Sequence, residues 1–105
     1  MTVDYVRHWF ENHALTTATQ TLRAASRKWI EEAAEARPGF ADELRKVAME
    51  ALSDTNRQLA SRGLIALSVV GTPSDLPSIE ALGRGSDRVA ADARFAAFEI
   101  KQRAV

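Results

Sequence analysis

The two histidines, His8 and His13, are the side chains in this sequence best suited to moving a proton or binding a metal. Being five residues apart, they fall about 140° apart around a helix, too far to share one ion on a regular helix. Asp4 precedes His8 by four residues and could add a second ligand, although a solvated surface pair is the simpler account. No serine stands in a Gly-x-Ser-x-Gly elbow after a strand, which removes that route to acyl transfer. Gly83-Arg84-Gly85-Ser86 opens a helix, where free amides attract anions. It lacks the lead-in strand and third glycine of a phosphate-binding fingerprint, and reads as a turn. Glu31 with Glu32, and Asp42 with Glu43, are neighbours along a helix rather than carboxylates facing across a cleft. Cysteine is absent, so there is no disulfide, thiolate metal site or cysteine nucleophile. The expectation is a non-enzyme with no metal and no cofactor.

Binding is the remaining use for such residues. Arg57, Arg62, Arg84, Arg88 and Arg94 are candidates for such a contact, because arginines along one edge of stacked helices commonly grip acidic partners or phosphates. The plainer account is local pairing with Asp54, Asp87 and Asp92.

The elements that must position these groups are helices. Alanine, leucine, glutamate and arginine dominate, β-branched residues are thin, and apolar residues recur at three and four. A first helix is expected over about Thr2 to Asn12, with Val3, Val6 and Phe10 on one face and Tyr5 and Trp9 on another. A second, about Thr16 to Ala36, carries Ala18, Leu22, Ala25, Trp29 and Ala33 on one stripe, and Arg23 among its polar residues. Arg37-Pro38-Gly39 stops it, because the residue before Pro avoids helical geometry and Gly takes the left-handed turn that ends a helix. The third, about Ala41 to Leu52, presents Leu44, Val47, Ala48 and Ala51. Ser53 or Asp54 should cap the fourth, about Thr55 to Val70, which gathers Leu59, Ala60, Gly63, Leu64 and Leu67 on one side. A short fifth helix, about Asp75 to Leu82, tolerates Pro77 only in its first turn. Ser86 or Asp87 should cap the last, whose inward face is Val89, Ala93, Ala96, Ala97 and Ile100.

A repeat emerges at an offset of 33: Ser53-Asp54 aligns with Ser86-Asp87, Ala60 with Ala93, Ile65 with Phe98 and Leu67 with Ile100. Carried mainly by SDTNRQLASRGLIAL and SDRVAADARFAAFEI, the pattern resembles HEAT-like repeats of the PBS-lyase type, over about residues 42–103. The resemblance implies an all-α fold, a short right-handed α-α superhelix of about six helices. On that reading residues 1–105 form a single domain, with 41–103 as two hairpins and 1–37 as a divergent helical pair or cap. Moving 33 residues back from Ala60 reaches Arg27, so the amino-terminal pair does not share the period. Phe95 and Phe98 lie nearly opposite the inward face of the last helix and need a cover, supplied by the amino-terminal pair, a following hairpin or a partner.

At 105 residues the chain has enough length for one core. Fourteen basic residues balance fourteen acidic ones, with about −1 over residues 1–52 and +1 over the rest, so nucleic acid is disfavoured as a partner. No apolar run reaches membrane-spanning length and the amino terminus is unlike a signal peptide, so a cytoplasmic location is expected. The resulting expectation is a protein-binding helical adaptor, or part of a longer solenoid, with a homodimer through the last helix as one version. Its contact residues would be Arg57, Arg62, Ile65, Arg88, Arg94, Phe95 and Phe98. An immunity or antitoxin-like inhibitor and a nucleic-acid-binding HEAT-like domain are the alternatives.

Overall fold

The described residues form six helices, α1 (Val3–Ala14), α2 (Thr19–Ala36), α3 (Phe40–Ala51), α4 (Arg57–Val70), α5 (Leu76–Leu82) and α6 (Arg88–Ala104), with glycine or proline at the breaks after α2, α4 and α5. The computed structural model describes residues 3–14 and 19–104, with side chains described for 3–12 and 27–104. Expectations for Thr2, His13, Thr16, Ala18, Leu22, Arg23 and Ala25 lie outside the described residues or side chains. Among the described residues the fold is all-helical, without strands. Its radius of gyration, 12.6 Å, is near the ~13 Å of a compact domain of this length.

The helix between the others is α4, which packs most extensively on α6 and α3 and also touches α1 and α2. Leu59, Ala60 and the whole run Gly63 to Ser68 are buried, so the helix presents core to more than one neighbour. Small residues make this possible. A Cβ at Gly63 would lie 2.9 Å from the Ala48 carbonyl oxygen and 3.1 Å from the Ala51 Cβ, so α3 and α4 approach to backbone contact there. At the far end of α4, a Cβ at Gly71 would lie 2.6 Å from Ile100 of α6. Val6 and Phe10 of α1 are buried, and α1 packs on α3. The ring of Trp9 meets Phe40 edge-on at 5.2 Å between centroids.

Gly39 has φ +85°, the left-handed turn expected after α2. The start of α4 differs from expectation. Ser53 and Asp54 donate their amides back to Glu50 and Ala51 and so extend the end of α3. Asn56 is the cap, its side chain accepting from the Gln58 and Leu59 amides, while Asp54 accepts from the Asn56 amide. Asp87 does cap α6, accepting from the Ala90 amide at 2.9 Å. The helix starts are therefore offset by 31 residues rather than 33.

The stripe expected on α2 is rotated. Trp29 is 54% exposed, and its neighbour Ile30 is the buried residue, with Ala33 half-buried. Adjacent positions lie 100° apart around a helix, so the roll of α2 about its axis decides whether the amphipathic Trp29 ring or the aliphatic Ile30 side chain turns inward.

Candidate interaction surface

The α6 helix separates its faces sharply. Val89, Ala93, Ala96, Ala97 and Ile100 are buried, as their spacing requires. Phe95 is 38% and Phe98 58% exposed on the other side. Among the described side chains of the amino-terminal pair, the Arg27 guanidinium of α2 stands 5.0 Å over the Phe95 ring and 3.9 Å from the Glu99 carboxylate. Ile65, aligned with Phe98 at the offset of 33, is 4% exposed and offers no contact surface. The difference is positional. Neighbours surround α4, whereas α6 lies at the edge of the bundle.

The two helices share the burial pattern of Ala60 with Ala93 and Leu67 with Ile100. They differ in what their flanks meet. Ser61 of α4 turns to α6 and donates to Asp92, and the Ser68 backbone carbonyl accepts from Arg103 of α6 while its hydroxyl donates to the Ile65 carbonyl within α4. The residues 33 positions later, Arg94 and Lys101, turn instead to α5, on the Gly83 carbonyl and Glu80.

Most of the arginines expected at a contact edge are engaged inside the molecule. Arg57 pairs with Asp87 at 3.0 Å, and Arg88 lies 3.7 Å from Asp92. Arg94 donates to the carbonyl oxygens of Gly83 and Gly85, closing the turn between α5 and α6. Arg84 is exposed, and Arg62 is half-buried within α4. The Ala90 amide and the Arg57 guanidinium together hold the Asp87 carboxyl below the usual carboxylate range. Arg103 was not singled out by spacing, yet it caps the end of α4 by donating to the Ser68 and Gly71 carbonyls. Its sole signal was a basic residue in the last turn of α6, where it reads as dipole compensation.

His8 is exposed and shares a 3.0 Å hydrogen bond with Asn12, and Asp4 faces Arg7 at 3.4 Å. Among the described residues no group of three His, Cys, Asp or Glu side chains could hold a metal ion. Glu50 raises the Arg7 pKa through a hydrogen bond and its charge, at the lip of a cavity of about 130 Å³ that Glu11, Asp54 and Leu59 also line. A shallow groove of mixed polarity, about 420 Å³, runs between α3 and α5, lined by Met49, Leu52, Ser53, Ser78 and Leu82. No helix of the described residues is long and apolar enough to cross a membrane. In comparison with known proteins, the chain matches no family model, no curated protein and no solved structure.

Proposed function

We propose that this chain is a non-catalytic protein-binding module whose contact surface is the outer face of α6, centred on Phe98 and Phe95. The observation that carries this reading is the pair of exposed phenylalanines, one turn apart, on a helix whose opposite face is fully buried. Covering the exposed part of these rings contributes about 25 cal/mol per Å² of apolar area removed from water, which makes the more exposed Phe98 the anchor of the contact. Arg27 over Phe95 holds one ring in place before any partner arrives, which lowers the ordering cost of binding. In the HEAT-like version of this reading the cover is a further helical hairpin, and the chain is one stretch of a longer solenoid.

A nucleic-acid partner draws less support. Arg57, Arg88 and Arg94 are held by Asp87, Asp92 and the Gly83 and Gly85 carbonyls. Binding phosphate through them means breaking those contacts first.

The test is affinity capture from an extract of the native host, comparing the wild-type chain with Phe98→Asp at matched melting temperature. A specific protein captured by the wild type and lost with Phe98→Asp supports the reading. Equal capture by both chains removes α6 as the contact face.

A further inference from the structure

We propose that residues 72–82 form a strap that opens and closes as a unit on the rest of the fold. It is pinned at both ends to α6 and latched to α3 by the Arg45 and Asp75 ion pair.

The pins are two arginines of α6. Arg103 donates to the Ser68 and Gly71 carbonyls just before the strap, and Arg94 donates to the Gly83 and Gly85 carbonyls just after it. All four acceptors lie outside residues 72–82, so the middle of the strap can lift while its ends stay in place. Between the pins lie the 3-10 turn Pro73–Asp75 and α5, a helix of 7 residues that is too short to persist without packing.

The strap is held differently on its two sides. Towards α6 the hold is the packing of α5, with Ile79 buried, and the surface pair of Glu80 with Lys101. Towards α3, the groove of about 420 Å³ separates Met49 and Leu52 from Ser78 and Leu82. Among the described residues, the polar contacts that cross from α3 to the strap all come from Arg45, which donates to both Asp75 carboxylate oxygens and to the Ser74 hydroxyl. One side chain therefore closes that edge.

The remaining core does not run through the strap. Helix α4 packs directly on α3, with Gly63 against Ala48, and directly on α6, where Ser61 meets Asp92. Lifting residues 72–82 uncovers Ile79 and leaves both of those contacts made, as an opening smaller than global unfolding requires. It also joins the groove to the site that Ile79 leaves, so the Arg45 latch sets how much apolar surface this side of the molecule presents.

The experiment is native-state hydrogen exchange in a urea series below the unfolding transition, comparing the α5 amides with those of Leu64 to Leu67 in α4. In the wild type the α5 amides should be at least about tenfold less protected and respond more weakly to urea, because opening the strap exposes little surface. Asp75→Asn should speed α5 exchange about tenfold or more, and Arg45→Gln should act in the same direction. Gly63→Ala weakens a contact that the open and closed forms share, so it should speed α4 exchange and leave α5 as in the wild type. Circular dichroism confirms that each variant is folded. Wild-type α5 amides that match α4 in protection and urea response overturn the strap, as does a Gly63→Ala chain in which both helices speed up equally. Either result means that α5 opens only with the whole molecule. Unchanged α5 exchange in both Asp75→Asn and Arg45→Gln overturns the latch.

Discussion

Arg45 and Asp75 form a two-bond clamp, with Nε donating to Oδ2 and Nη2 to Oδ1, both at 2.7 Å. The clamp ties α3 to the single 3-10 turn Pro73–Asp75 that leads into α5. The Asp75 side chain is 2% exposed. Burial pushes its carboxyl up, but hydrogen bonds from Arg45 and the Thr72 amide outweigh this, and the pKa lies below the ordinary value. A folded-state pKa below the unfolded one means the clamp stabilises fully above about pH 4 and loses its contribution as pH falls through the folded value. Asp75→Asn should cost roughly 2 kcal/mol at pH 7, less than a fully buried pair because Arg45 reaches solvent. Urea unfolding at pH 7 and pH 3 checks this, the gap between wild type and Asp75→Asn narrowing in acid.

Close approach of helices gives a second prediction. Gly63→Ala gains helix propensity of up to about 1 kcal/mol but forces a Cβ against the Ala48 carbonyl, which is backbone and cannot yield. Net destabilisation of about 1 to 3 kcal/mol is expected. Gly71→Ala should also destabilise, through the Ile100 side chain and the Leu67 carbonyl oxygen, 2.5 Å from the added Cβ. Thermal and denaturant unfolding of the two variants read these effects directly.

Capping separates Asn56 from its neighbours. Asn56→Ala should cost about 1 kcal/mol, because two amides at the start of α4 lose their acceptor. Ser53→Ala should stay within about 0.5 kcal/mol, since Ser53 is exposed and does not cap the helix. Equal losses for the two would contradict the cap assignment.

The aligned positions Ile65 and Phe98 should behave oppositely. Ile65→Ala removes a buried side chain and should cost about 2 to 4 kcal/mol. Phe98→Ala should cost less than about 1 kcal/mol, because more than half of the residue already meets water. Denaturant midpoints at low protein concentration make the comparison.

Local physics along the chain was enough to determine the helices, the breaks at Pro38-Gly39 and Gly71-Thr72-Pro73, a cap at Ser86 or Asp87, of which the structure uses Asp87, and the inward positions of α3, α4 and α6. These follow from backbone preference and from apolar spacing, both properties of near neighbours. The buried state of Ala60 and Ala93 likewise follows from spacing. Tertiary structure alone decided what lies over each face. Whether Trp29 or Ile30 turns inward depends on the roll of α2 against α3 and α4, and a stripe a third of the circumference wide leaves that roll open. Whether Ile65 or Phe98 meets water depends on which helix is surrounded and which is at the edge, a matter of packing order that no period encodes. Arg45 with Asp75 and Arg103 with Gly71 join residues about thirty positions apart, so their partners became visible only when the helices met.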